Sequence, residues 1–408
     1  MSRSAGFGPP GPVRVVYVAV LAMWVLVLPL AVQGNVAQDA VPFLVAGELS
    51  TSDPGAVYSA SGDLYAMAPA FAERSCAISP PGTDCATVNV GFVSPPPAVL
   101  VGRVAAALGP DLGALAFRVL AAACLAAGMA VLWARLASLA PEAPACLLAT
   151  ALLATPFATA PIALGQNSPL LFLSAALGLV WATRWPRALA VAAVLAATVV
   201  FKLFPLALLA VLVWRRRWAV AAWTAGLVVA ITVVTVPVVD RGLWSAFVDA
   251  SAALGPTTPA NTYNGSLVAL AHLVAPATTG GSGIGVIVVG AVLAVGLLVL
   301  AARRRADDDA LWSLAWLVLL LVVPMVWWHY LWVGLAAVAY AWRAGGAVGR
   351  RLVALPVLAA ASLLISIVTA GGTTVPWAQA LFLVGTVAVA LWLLLAAPAR
   401  RPTEVAAG

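Results

Sequence analysis

The chain is a succession of apolar runs, many about as long as a bilayer is thick, separated by segments that carry most of its charge. A hydrocarbon core about 30 Å thick takes roughly 20 apolar residues per helical span. In lipid every backbone N–H and C=O needs an internal partner, so runs of this kind fold as helices that pack together. Composition agrees: of 408 residues 64% are hydrophobic and 9% charged, and no polar stretch is long enough for a separate soluble domain. The expected fold is an all-α polytopic membrane protein, one integral membrane domain over residues 1–408. A net charge of +7 would ordinarily raise the question of nucleic acid. Here the basic residues sit between apolar runs, which is the positive-inside pattern of a membrane protein. Membrane lipids are the expected surroundings, and nucleic acid is not a partner.

Charge placement gives a topology. Arg3 and Arg14 precede the first run, VVYVAVLAMWVLVLPLAV, and put the N-terminus in the cytoplasm. That run is long for a signal peptide and lacks a clear small-x-small cleavage site, so it reads as a retained span. Residues 34–111 form a long first extracytoplasmic loop, rich in Pro, Ser and Gly, with short apolar stretches expected to lie along the membrane surface. Spans follow at about 112–134, 145–162 and from LGQNSP back to TRWPR. The stretch ALAVAAVLAATVVFKLFPLALLAVLVWRRRW has arginines at both ends but apolar residues for one span only. It reads as two half-spans turning near Lys202 and Pro205, a break tolerated only inside protein or beside a wet cavity. A span at about 218–238 leads to a second extracytoplasmic loop, 239–281. Further spans return to Arg303–Arg305, go out to VWWHYLW, come back to Arg343, and end with two more before Arg400 and Arg401. The total is about twelve transmembrane helices. Most of the 21 basic residues then fall inside, whereas Asp39, Glu48, Asp53, Asp63, Glu73, Asp84, Asp111, Asp240 and Asp249 fall outside.

Four cysteines divide into two kinds. Cys124 and Cys146 lie in apolar runs, where a thiol behaves as a small hydrophobe. Cys76 and Cys85 flank a Pro-Pro-Gly turn in the first outer loop, and an oxidising compartment favours a disulfide between them. A metal site is the rival, but two thiols without a nearby His make a poor ligand set. No metal and no cofactor is expected.

Polar side chains near membrane depth are costly and therefore candidates for function. The topology brings Asp39, Gln166, Asn167, Lys202 and His329 to one outer face, with Asn264 in the second loop. Each also has a plainer reading. Asp39 suits the N-cap of a helix beginning AVPFLVAGEL. Gln166 and Asn167 suit a helix end, Lys202 suits snorkelling to headgroups, and His329 suits an interfacial aromatic belt. Asn264-Gly265-Ser266 matches a glycosylation triplet and equally a loop turn. His272 reads as an interfacial residue of an amphipathic helix. Gathered on one face, a carboxylate, an imidazole, a cation and amides compose an active site for a phosphate-bearing lipid. The carboxylate takes a proton from an acceptor hydroxyl, and the cation neutralises a phosphate leaving group.

Specific stretches carry a likeness. Asp39 follows the first span; GDLY and GFVSPPPAVL stand in the first loop; GQNSPLLFL follows the third span. FKLFPLALLAVLVWRRRW, YNGSL and VWWHYLW come later, in that order. In order and spacing, from about residue 15 to 345, the sequence resembles glycosyltransferase family 87, the polyprenol-phosphate-mannose-dependent mannosyltransferases of actinobacteria. The resemblance implies a class C glycosyltransferase fold in the plasma membrane, with the active site facing the extracytoplasmic side. It implies inverting transfer of mannose from a polyprenyl-phosphate donor to a lipid-linked or polysaccharide mannoside such as a phosphatidylinositol mannoside or lipomannan. Asp39 would be the general base. Lys202, with Arg103, would hold the donor phosphate, and His329, Gln166, Asn167 and Asn264 would position sugar or phosphate. Arabinose stays open as the transferred sugar. The rival function is a transporter or flippase of lipid-linked sugars, which would spread polar residues through the whole membrane depth. Here the inner half of the spans is nearly featureless.

Overall fold

The computed structural model describes residues 11–33, 37–58, 67–79, 82–83, 91–139, 141–178, 187–257, 266–274, 284–303, 308–323, 325–344 and 376–395. Every regular element among them is helical. In chain order these are α1 (Pro12–Leu26), α2 (Leu28–Ala31), α3 (Val41–Ser52), α4 (Pro69–Ala77), α5 (Pro97–Ala107), α6 (Pro110–Leu136), α7 (Ala143–Leu164), α8 (Pro169–Leu177) and α9 (Arg187–Phe201). Then come α10 (Leu208–Trp214), α11 (Trp218–Val238), α12 (Gly242–Thr257), α13 (Leu267–Val274), α14 (Ile284–Arg303), α15 (Asp308–Leu319), α16 (Trp332–Ala344) and α17 (Pro376–Leu395). Proline in the first turn opens α1, α3, α5, α6 and α8, where its missing N–H costs nothing and its φ already suits a helix.

Among the described residues four helices are long and apolar enough to cross a bilayer: α6, α7, α11 and the Gly285–Arg303 part of α14. The chain is a membrane protein. A main core unites α1, α6, α7, α8, α15 and α16, with Trp24, Met129, Phe157, Phe172, Trp312, Trp316 and Trp332 fully buried. Ring against ring, Phe157 stacks on Trp332 with centroids 4.9 Å apart.

The segment between α2 and α6 is more than a surface covering. Its helices share a second core, in which Phe43 meets Phe92, Phe117 and Phe201 at centroid distances of 5.3, 5.1 and 5.6 Å. Helices α3 and α5 touch backbone to backbone, since a Cβ on Gly47 would run into Gly102 and one on Gly102 into the Phe43 carbonyl. Small residues allow that approach. Arg103 fastens the pair: its Nε donates to Ser50 Oγ at 2.8 Å, and its Nη1 donates to the Val238 carbonyl at 2.9 Å, where α11 ends. Arg74 pairs with Glu48 across α4 and α3.

At one end of the molecule Arg135 meets Asp309 at 3.4 Å, while Arg215 and Arg217 both bind Asp308. These contacts gather the ends of α6 and α10 and the starts of α11 and α15. From there α10 and the 3-10 turn Phe204–Ala207 lead to Lys202, a rise of only about 16–20 Å. Helix α9, on the other side of Lys202, has 15 residues and rises about 22 Å. Both fall short of a bilayer about 30 Å thick, and Lys202 at the break is half-buried. Helix α15 is also short. It stops at Leu319, and residues 325–327 are non-helical before a second 3-10 turn, Trp328–Leu331. The sequence reason is Pro324, a residue type that disfavours helix at the position before it.

Candidate active site

Opposite the charged end, one pocket is lined by Asp39, Phe43, Phe92, Ser94, Gln166, Asn167, Lys202, Met325 and Trp327, among others. Three breaks in helix deliver its polar groups. The first is the turn at residues 37–40, where the Asp39 N–H donates to the Leu164 carbonyl at 3.0 Å. The second is the end of α7. Gly165 takes a left-handed conformation (φ 68°) and lies so close that an added Cβ would stand 2.8 Å from Ala40 Cβ. Glycine is the usual residue for such a helix stop, and here it turns Gln166 toward Asp39 and Asn167 into the pocket lining. The third is the α9–α10 break that exposes Lys202.

Asp39 is half-buried. The Gln166 side-chain amide donates to its carboxylate, and Lys202 adds a nearby positive charge; burial outweighs both and pushes the carboxyl up to about 6. Asp39 does not cap α3. Ala40 holds that position, without a side-chain cap bond. Gln166 and Asn167 are 6% and 7% exposed, and the Asn167 Oδ1 is a buried acceptor with no partner among the described residues. An acceptor in that state suits a hydroxyl donor rather than a phosphate oxygen. The Lys202 ammonium lies 5.6 Å from the centre of the Tyr330 ring, within cation–π range. His329 is buried, lies parallel to Trp327 at 6.2 Å and meets Tyr330 edge-on at 5.2 Å. Burial, and then the Lys202 charge, hold its pKa well below the usual imidazole range. Near neutral pH it is an uncharged ring behind the pocket wall.

Asp39, Gln166, Asn167 and Lys202 therefore share one pocket, with His329 packed against its wall. Arg103 is not among the lining residues; its guanidinium is engaged by Ser50 and Val238. Asn264 and Cys85 lie outside the described residues. Cys76 is disulfide-bonded, and Cys124 and Cys146 are free thiols. Among the described residues no three His, Cys, Asp or Glu side chains gather as a metal site. The aromatic lining was not singled out from sequence, although Phe92 stands in GFVSPPPAVL and Trp327 in VWWHYLW. Sequence offers no sign that separates a pocket-lining ring from a lipid-facing one.

Comparison with known proteins decides the class. The model of glycosyltransferase family 87 matches residues 92–326, more than half of the chain. The chain belongs to glycosyltransferase family 87. No curated protein and no solved structure matches it. Membership makes the chain a glycosyltransferase, with a sugar donor and an acceptor as substrates. The matched segment includes Gln166, Asn167 and Lys202. Asp39 precedes it, and Trp327 and His329 follow directly, so the fold is what joins them to the family segment.

Proposed function

We propose that this glycosyltransferase family 87 protein moves mannose, with inversion, from a polyprenyl-phosphate carrier to a lipid-linked or polysaccharide mannoside on the outer face of the plasma membrane. One observation carries the reading: a single carboxylate, Asp39, shares a recessed pocket with the cation Lys202 and with the amides Gln166 and Asn167. The class C fold, about twelve spans in one membrane domain, and outer loops at 34–111 and 239–281 belong to the same proposal, as does a Cys76–Cys85 disulfide.

In this reading Asp39 accepts the proton of the acceptor hydroxyl. The freed oxygen attacks the anomeric carbon, and the bond from that carbon to the phosphate oxygen breaks. Its electron pair leaves on the phosphate, giving a glycoside of inverted configuration and the polyprenyl phosphate. Burial helps, because a carboxylate with its pKa near 6 is a stronger base than an ordinary one yet still ionised near neutral pH. Lys202 neutralises charge on the departing phosphate, Asn167 Oδ1 accepts from a sugar hydroxyl, and Trp327 offers a flat apolar wall. Asn264 would join from the second loop.

The test is stereochemical. Purified protein is given a polyprenyl-phosphate mannose of known anomer and a mannoside acceptor, and the product linkage is assigned by NMR. The expected product has the opposite anomer. A retained anomer rules out single displacement with Asp39 as base, and donor carried across a vesicle without transfer would mark a flippase.

A further inference from the structure

Two turns into α6, Arg118 is an arginine in an apolar helix and only 3% exposed. A guanidinium in such a place is costly and calls for a reason. Its Nε donates to the Ala163 carbonyl at 3.2 Å, and its Nη1 donates to the Gln33 carbonyl at 3.4 Å. The first acceptor lies at the end of α7, next to the pocket residues Gln166 and Asn167, and the second lies six positions before Asp39. Ala163 stands just before Leu164, whose carbonyl holds the Asp39 N–H, and before Gln166, whose N–H donates to Pro161 at 2.9 Å. Gln33 stands in the strand of chain that leads from α2 to Asp39. One planar group with forked donors thus bridges the end of α7 and the approach to the carboxylate. No lysine could reach both with the same geometry.

We propose that Arg118 is a positioning residue for sugar transfer, clamping the end of α7 to the segment that carries Asp39. It touches no substrate; a separate cavity, lined by Gln33, Ala37, Val41, Asp111 and Ala114, lies against it instead. The inference rests on Asp39 being the base. Without the clamp, the Asp39–Gln166 register is free to shift, and a misplacement of about 1 Å can cost on the order of 10² in rate.

That cavity also supplies the test. Arg118→Ala leaves the site open beside a cavity, so guanidinium ion added to the medium can take the clamp's place. The variant should lose about 10²-fold in kcat with donor KM unchanged, and guanidinium should restore part of the rate where ammonium does not. Wild-type kcat, a loss that falls on donor KM, or equal indifference to both ions would overturn the proposal. Should Arg118→Ala not fold, Arg118→Lys keeps the charge without the fork, and is expected to show a reduced kcat at unchanged KM; full kcat there also overturns it. Asp39→Asn, assayed alongside, keeps the two ideas apart. Normal turnover in that variant removes the base itself, whereas an inactive Asp39→Asn beside a fully active Arg118→Ala removes only the clamp.

Discussion

At Asp39 two demands oppose each other, since a base must be ionised and this one is held where ionisation is disfavoured. With its pKa near 6, the carboxyl loses its negative charge as pH falls below that value. Transfer should therefore show an acid limb near pH 6, read from a kcat–pH profile; a limb near 4, the ordinary carboxylate value, would contradict the burial. The same shift fixes a sign for stability. A carboxyl whose pKa is higher in the folded than in the unfolded state destabilises the fold where it is ionised, and the burden is lifted as pH falls through the folded pKa. Asp39→Asn should thus melt above the wild type at about pH 7–8, an advantage that shrinks toward pH 4. Equal melting across that range would show the carboxylate well solvated. These polar residues were legible in sequence because so few polar groups stand near membrane depth. Their partners were not. Ser50 and the Val238 carbonyl lie 53 and 135 positions from Arg103, and only the folded chain shows that they meet its guanidinium.

The pocket is made by elements that end early. The broken hairpin could be read directly, because arginines at both ends of one span's worth of apolar residues force a turn between them. The early stop of α15 was less plain, since Pro324 is a single residue in a run that otherwise looks continuous. Nor did the pattern show that α3, α4 and α5 join α6 and α9 in a second core, because the Gly47–Gly102 approach depends on which helices meet. Gly165 is the element-scale lever. Gly165→Ala would place a side chain at φ 68° and against Ala40. The left-handed conformation alone costs roughly 1–2 kcal/mol for a non-glycine residue, and the clash acts on the Gln166–Asp39 contact. Thermal unfolding should move down and kcat should fall with it. A variant unchanged in both would mean that α7 ends as it does for another reason.

For the whole molecule, the ion-paired end and the pocket lie at opposite ends of the helices. Arg135, Arg215 and Arg217 meet Asp308 and Asp309 at one end, and the polar pocket lies beyond the apolar half-helices. Arginine placement is the ground on which the sequence assigns the charged end to the cytoplasm, since it acts on where each loop settles, independently of how the helices pack. A reporter active only in the cytoplasm should work when fused after Arg217, Arg305 and Arg401 and stay silent after Asp84 or Gly265. Activity at Asp84 would put the pocket on the wrong side of the membrane for this account. The central claim is that the pocket transfers sugar with Asp39 as base, and the most direct measurement compares wild type with Asp39→Asn in lipid, following both donor binding and transfer of labelled mannose. Asn keeps the size and most of the hydrogen bonding but cannot accept the proton. The account predicts donor binding near the wild-type level and transfer lowered by at least about 10², the lower end of what a general base contributes. Transfer near the wild-type rate in the Asn variant would contradict it.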